Sequence, residues 1–194
     1  QGQCGSCWAF SVVEEIESCW FLAGNPLPVL SVQQIIDCDG TDSGCQGGEP
    51  MTAYKYVETA GGLDSEAEYP YQADKSHCHF RKNNITAHIK GFKYATPPDK
   101  KDETQMQAVV AKTAPLSVCV DASSWQFYSG GVLKQCGQQL DHCVQAVGYK
   151  KTEGGFYWIV RNSWGESWGE SGYINIEGGS NTCGIADMAT YVEI

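Results

Sequence analysis

Ten cysteines in 194 residues constrain this chain more than any other feature. That density is about twice ordinary usage and favours an oxidising compartment, where disulfides persist. A zinc framework fits poorly. Cys4 and Cys7 make one Cys-x-x-Cys pair, no second close pair follows, and Cys38 and Cys45 stand too far apart for a knuckle. The expectation is therefore several disulfides with a few thiols left over, and neither a metal nor a cofactor. One sequon, Asn84-Ile85-Thr86, marks Asn84 as a glycosylation candidate and agrees with a secretory route.

The length suffices for one large domain or two small lobes, each with an apolar core. A net charge of −10 argues against a nucleic-acid partner, which needs a basic face. No apolar run is long enough to span a bilayer. The first residues are polar and glycine-rich, without the basic start and apolar stretch of a signal peptide, so any targeting segment is expected to have been removed.

The pattern changes along the chain. Ala9, Phe10, Val13, Ile16, Trp20 and Phe21 recur at three- and four-residue steps, which predicts a helix over about 6–22, ended by Gly24 and Asn25-Pro26. Ser31 with Gln34 three residues on reads as a capping box opening a second helix. Pro50 opens a third, to about Thr59, with Gly61-Gly62 after its end. Thr86 to Tyr94 alternates like a strand, and Gln105 to Lys112 reads as a short helix. Leu116–Val120, Val144–Tyr149, Tyr157–Val160 and Tyr173–Ile176 read as strands bounded by glycines. The fold class is α+β, with a mainly helical first half over 1–90, a mainly antiparallel β second half over 91–187, and a final strand over 188–194.

Cys7 stands at the predicted start of the first helix. The positive end of a helix pushes a thiol towards thiolate, the reactive form. A nucleophilic cysteine needs a base, and histidine is suited: as a cation it stabilises the thiolate and can then protonate a leaving amine. Of the four histidines, His77 and His79 flank Cys78 in a polar loop and His88 lies in a strand-like stretch near Lys90. His142 enters an apolar strand in Leu140-Asp141-His142-Cys143-Val144. Asn162, in Arg161-Asn162-Ser163-Trp164-Gly165, is the candidate orienter, with Trp164 to shield it.

Cys4-Gly5-Ser6-Cys7-Trp8 resembles the active-site cysteine motif of the papain-like cysteine peptidases, the family of the lysosomal cathepsins. Gly44-Cys45-Gln46-Gly47-Gly48, Glu68-Tyr69-Pro70-Tyr71 and Asn162-Ser163-Trp164-Gly165 with Trp168-Gly169 are similar to further motifs of that family. Its histidine and asparagine follow the cysteine by about 130–150 residues, which His142 meets and Asn162 slightly exceeds. The resemblance runs the length of the chain. It implies a helical left lobe, an antiparallel β-barrel-like right lobe and an active-site cleft between them.

By residue, the resemblance implies that Cys7 attacks the peptide carbonyl, His142 shuttles the proton, Asn162 orients His142 and Trp164 covers that contact. The Gln1 amide and the Cys7 N–H would form the oxyanion hole. Gly47-Gly48 would hold substrate backbone. Glu49, Pro50, Cys119, Leu140, Asp141, Cys143 and Met188 would line the substrate subsites, giving an apolar P2 preference that Glu49 could extend to basic residues. The same matching pairs Cys4–Cys45, Cys38–Cys78 and Cys136–Cys183 and leaves Cys7, Cys19, Cys119 and Cys143 over. Cys119 and Cys143 read as small buried hydrophobes, with a crosslink between them as the sharper alternative.

The implied activity is acyl-transfer endopeptidase chemistry with a bell-shaped pH profile, in a lysosome, another acidic vesicle or outside the cell. Peptide or protein substrates, cystatin-like inhibitors and the protein's own propeptide are the expected partners of a monomer without membrane contact. Members of the family carry a further segment ahead of the glutamine that stands here first. Two other readings compete. A thiol–disulfide oxidoreductase would use Cys4-Gly5-Ser6-Cys7, but no strand precedes that motif and no βαβ rhythm follows. A catalytically inactive homologue acting as a binding or storage protein would have no use for an intact nucleophile, base and orienter.

Overall fold

The computed structural model describes residues 1–194. The chain divides into two compact units, Gln1–Lys93 with Val192–Ile194, and Tyr94–Tyr191.

The first unit is built on three helices: α1 (Cys7–Leu22), α2 (Val32–Cys38) and α3 (Pro50–Ala60). Helix α1 packs on α2 and α3. Their ends follow local chemistry. The Ser31 hydroxyl accepts the Gln34 N–H at 2.9 Å and caps α2. Pro50 opens α3, and Gly61, at φ 93°, ends it in the left-handed conformation. Only half of the predicted capping box forms. Gln34 does not reach back to Ser31. Its amide donates to the Tyr56 hydroxyl and the Gly62 carbonyl, and its oxygen accepts the Asp64 N–H, so it ties α2 to a distant loop.

Helix α1 is not amphipathic in the predicted way. Phe21, one of the periodic apolar positions, is 53% exposed, whereas Glu14 and Glu15 are buried. The Cys19 thiol donates to Glu15 Oε1 at 3.2 Å. Burial, with Glu15 beside it, pushes the Cys19 thiol well above its ordinary pKa, which makes it an inert core group.

The β structure is a seven-stranded sheet of order β1-β7-β2-β4-β5-β6-β3. Its strands are β1 (Gly91–Tyr94), β2 (Leu116–Val120), β3 (Val132–Leu133), β4 (His142–Thr152), β5 (Gly155–Arg161), β6 (Tyr173–Glu177) and β7 (Ala189–Glu193). Helix α4 (Glu103–Lys112) contacts β4. The β2–β4, β2–β7, β4–β5 and β5–β6 pairs are antiparallel, as expected; β3 pairs with β6 in parallel, and the sheet is not closed. The strand predicted over 86–94 is shorter. Ala87 makes only an isolated bridge to Leu63, and regular pairing starts at Gly91. Leu116, Val118, Val120, Trp125, Val144, Trp158, Val160, Ile174 and Ile176 form the core of this unit.

Four disulfides cross-link the chain: Cys4–Cys45, Cys38–Cys78, Cys119–Cys143 and Cys136–Cys183. The third corrects the reading of Cys119 and Cys143 as separate buried thiols. They face each other directly in the antiparallel β2–β4 register, where Cβ atoms come within bonding reach.

Candidate active site

The first unit supplies Cys7, the first residue of α1, half-buried and outside the disulfides. Its neighbours each have a physical task. Gly5 donates to the Cys45 carbonyl at 2.9 Å, and a Cβ there would lie 2.6 Å from that oxygen. Cys4 bonds to Cys45, and the Trp8 indole donates to the Gly44 carbonyl at 3.1 Å. Ser6 is the N-cap residue, but its side chain does not cap the helix: it shares a 2.7 Å bond with the Tyr71 hydroxyl. No side chain at this N-cap offsets the positive end of α1, which therefore acts on the Cys7 thiol.

Gln1 lies beside this turn. Its amide donates to the Cys4 carbonyl at 3.0 Å, and its own carbonyl accepts from Tyr71. Gly47 and Gly48 lie on the same turn. A Cβ on Gly48 would strike the Trp8 ring at 2.6 Å, whereas one on Gly47 would meet open space. Gly47 has φ 121°, which favours glycine, and its open side is where another chain's backbone can approach. Asp42, absent from the sequence-based candidates, fixes the turn: one oxygen accepts the Glu49 N–H and the other the Thr52 hydroxyl. Glu49 is exposed and Pro50 buried at the head of α3.

The second unit supplies His142 and Asn162, both buried. His142 Nε2 lies 2.6 Å from Asn162 Oδ1, which also accepts the Ser163 N–H at 2.8 Å. A backbone N–H is always a donor, so Ser163 settles which end of the amide is oxygen. That oxygen in turn makes Nε2 the protonated nitrogen of neutral His142 and leaves Nδ1 to exchange protons. Burial, the largest influence, pushes the His142 pKa down, while the Asn162 bond and the nearby Asp141 carboxylate oppose it.

Aromatic rings surround this pair. Trp164 lies 5.0 Å from the His142 ring, and Trp125 meets it edge-on at 5.8 Å. Trp168 stacks on Trp125 and donates its indole N–H to the Trp125 carbonyl at 3.1 Å. Trp125 was missed by sequence reasoning, because it sits in a three-residue 3-10 turn with no period to reveal its facing. The remaining histidines have other surroundings. His79 stacks on Tyr69 and His88 packs on Trp20. Asn84 lies half-buried in a 3-10 turn.

The other subsite candidates of this unit gather at the ends of β2 and β4. Cys119 donates its N–H to the Met188 carbonyl, Asp141 donates to Val120, and Leu140 lies against Gly184. Asp121, also missed, anchors the approach to His142. It accepts from the Ser123 hydroxyl and N–H and from the Gln139 N–H. Those bonds, led by the Ser123 hydroxyl, hold its carboxyl below the usual range, with burial opposing. A depressed folded-state pKa contributes stability that is present above the unfolded value near 3.8 and is lost as pH falls through the folded value. Asp121→Asn should lower the melting temperature by several degrees at neutral pH, and the difference should shrink below about pH 4. Melting curves from pH 3 to 7 check this. An undiminished difference at the acid end would refute it.

The profile described as "Papain family cysteine protease" matches residues 1–193. The chain belongs to the papain family of cysteine proteases. It is 44% identical over 98% of its length to cathepsin F of Drosophila melanogaster and 42% identical over 99% to cathepsin O of Homo sapiens. It spans 32% of the first protein and 60% of the second. Among solved structures, it matches bromelain protease from Ananas comosus in complex with the E64 inhibitor at a TM-score of 0.89 and 37% identity, covering 100% of this chain and 91% of that one. It matches digestive procathepsin L2 proteinase from Tenebrio molitor at 0.93 and 38%, covering 100% and 62%. The papain-like α+β fold is shared with both.

Proposed function

We propose that this chain is a cysteine endopeptidase in which Cys7 is the nucleophile and His142 its acid–base partner. The observation that carries this reading is the buried His142–Asn162 bond, which dedicates Nε2 to orientation and Nδ1 to proton exchange. The Cys7 thiolate, favoured by the helix end, attacks the scissile carbonyl carbon. The oxyanion is stabilised by the Cys7 N–H and the Gln1 amide, a group the Cys4 carbonyl holds in place. His142 then protonates the leaving amine, and water deprotonated by the same imidazole releases the acid. Trp164, Trp125 and Trp168 keep water from the His142–Asn162 bond.

Gly47-Gly48 binds substrate backbone. Glu49, Pro50, Cys119, Leu140, Asp141, Cys143 and Met188 border the subsites and favour an apolar P2 residue. The activity is bell-shaped in pH: the thiolate is lost on the acid limb and the imidazolium on the alkaline limb. Peptide and protein substrates, a propeptide and cystatin-like inhibitors are the proposed partners of a monomeric enzyme, and an acidic vesicle or the extracellular space its place of action. No helix is long and apolar enough to cross a membrane. An inactive binding homologue draws no support from a chain in which Cys7, His142 and Asn162 all stand.

Active-site titration tests the reading. An epoxide inhibitor of cysteine peptidases should add once, on Cys7, and abolish hydrolysis of a Leu-Arg peptide amide in mildly acidic, reducing buffer. Folded protein with neither adduct nor hydrolysis would overturn it.

A further inference from the structure

Tyr71 closes the Glu68-Tyr69-Pro70-Tyr71 motif, and its hydroxyl lies 2.6 Å from the Gln1 carbonyl and 2.7 Å from Ser6 Oγ. A carbonyl can only accept, so the single Tyr71 hydroxyl proton goes to Gln1. The Ser6–Tyr71 bond then needs the proton of Ser6. Ser6 Oγ also lies 3.4 Å from the Cys4 carbonyl, too long to compete with a 2.7 Å bond. The Cys4 carbonyl instead accepts the Gln1 side-chain amide at 3.0 Å. The protons therefore run one way: from Ser6 to Tyr71, from Tyr71 to the Gln1 carbonyl, and from the Gln1 amide to Cys4. Gln1 is gripped at its backbone and at the tip of its side chain. Tyr71 is itself braced. Its N–H donates to Glu66 Oε1 at 2.8 Å, and its ring meets Phe10 of α1 edge-on at 5.0 Å. Burial, the largest influence, pushes its hydroxyl pKa up, with Ser6 opposing and Glu66 adding, so Tyr71 keeps its proton.

We propose that Tyr71 is a positioning residue for the oxyanion hole, with Ser6 setting the direction of its hydroxyl: by fixing the Gln1 backbone, Tyr71 keeps the Gln1 amide where the oxyanion forms. This rests on the peptidase reading and on the place of Gln1 in it. An oxyanion donor works only when it is held within about 0.5 Å of its productive position. A glutamine amide hangs on several rotatable bonds, so the Cys4 carbonyl alone fixes one end of a flexible arm. Phenylalanine at position 71 would act twice. It would release the Gln1 carbonyl, and it would turn the Ser6 proton towards the Cys4 carbonyl, where it competes with the Gln1 amide.

The test is a double-mutant cycle on the full chain, read by hydrolysis of a Leu-Arg peptide amide. Tyr71→Phe should lower kcat about 10-fold with KM little changed. Gln1→Ala should lower kcat about 10²-fold. Adding Tyr71→Phe to Gln1→Ala should cost less than about 2-fold more, because the group that Tyr71 positions is gone. A merely structural tyrosine would cost the same in either background. Ser6→Ala keeps the Tyr71–Gln1 bond but loses the donor that orders it. It should cost about 3-fold in the parent and nothing in Gln1→Ala, and it decides the question should Tyr71→Phe not fold. Alkylation of Cys7 by iodoacetamide across pH supplies a second readout. It reports the thiolate and builds no oxyanion, so Tyr71→Phe should leave it unchanged.

Equal losses in the two backgrounds would overturn the proposal and leave the peptidase reading standing. So would a folded Tyr71→Phe protein with parental kcat. An alkylation rate that falls as far as kcat would place the effect on the start of α1 rather than on the oxyanion hole, and would overturn it too. A folded parent that does not hydrolyse the amide would overturn the peptidase reading and this proposal with it, so the two failures are told apart by the parent alone.

Discussion

Serine in place of Cys7 should lower kcat/KM for a Leu-Arg peptide amide by about 10⁴-fold or more, while the protein melts within about 1 °C of the parent. The helix end that acts on Cys7 can favour a thiolate, because a thiol titrates near 8.5 and falls readily when positive charge is close. The same field cannot ionise a hydroxyl near neutrality. The hydroxyl would then depend on His142 taking its proton during attack, a task for which a thiolate–imidazolium arrangement is poorly poised. The fold should not notice the change, since Cys7 is half-buried, lies outside every disulfide and differs from serine by one atom. Hydrolysis and thermal melting on the same sample check both halves. Retention of a tenth of parental activity would refute the nucleophile assignment, and a large drop in melting temperature would give Cys7 a structural role instead.

Glu103→Ala should be among the most destabilising substitutions away from the active site, by about 3 kcal/mol, or roughly 10 °C in melting temperature. Glu103 is the first residue of α4 and is buried. One oxygen accepts the Trp158 indole N–H at 2.7 Å, and the other accepts the N–H groups of Gly179 and Asn181, each at 2.9 Å. Alanine would leave three donors without their acceptor, and an unsatisfied buried donor costs about 1–3 kcal/mol. The loss also frees the segment leading to Cys183 and Met188. Glu103→Gln keeps the shape but sets an NH₂ against one set of donors, so it should fall between the two. Urea unfolding of the three proteins checks the order. Equal stability of parent and alanine variant would show that water replaces the carboxylate at no cost.

The sequence by itself determined the features that depend on neighbours along the chain. Ser31 caps α2 because its hydroxyl reaches the N–H three residues on, Pro50 opens α3 because it needs no donor there, and Gly61 ends it because only glycine takes φ 93° without strain. Strand β2 spans Leu116–Val120, the bounds expected from the sequence. Cys7, His142 and Asn162 were legible as candidates because each sits in a short motif or at a spacing that resembles the family's; that Gly5 and Trp8, beside Cys7, would meet the distant Cys45 and Gly44 carbonyls was not.

The tertiary structure decided whatever depends on a partner distant in sequence. The periodic pattern of α1 grouped Phe21 with the buried apolar positions, and the fold leaves it exposed. Gln34 abandoned its local capping role for bonds to Tyr56, Gly62 and Asp64. Nothing near Glu103 in the sequence announces that it will serve Trp158 and Asn181. The pairing of Cys119 with Cys143 follows from the register of β2 on β4, since a slip of one residue would point the two sulfurs to opposite faces. Hydrogen bonds and torsions along a segment are set by residues a few positions apart, whereas burial and strand register are set by the whole chain closing on itself, and no window of sequence contains that information.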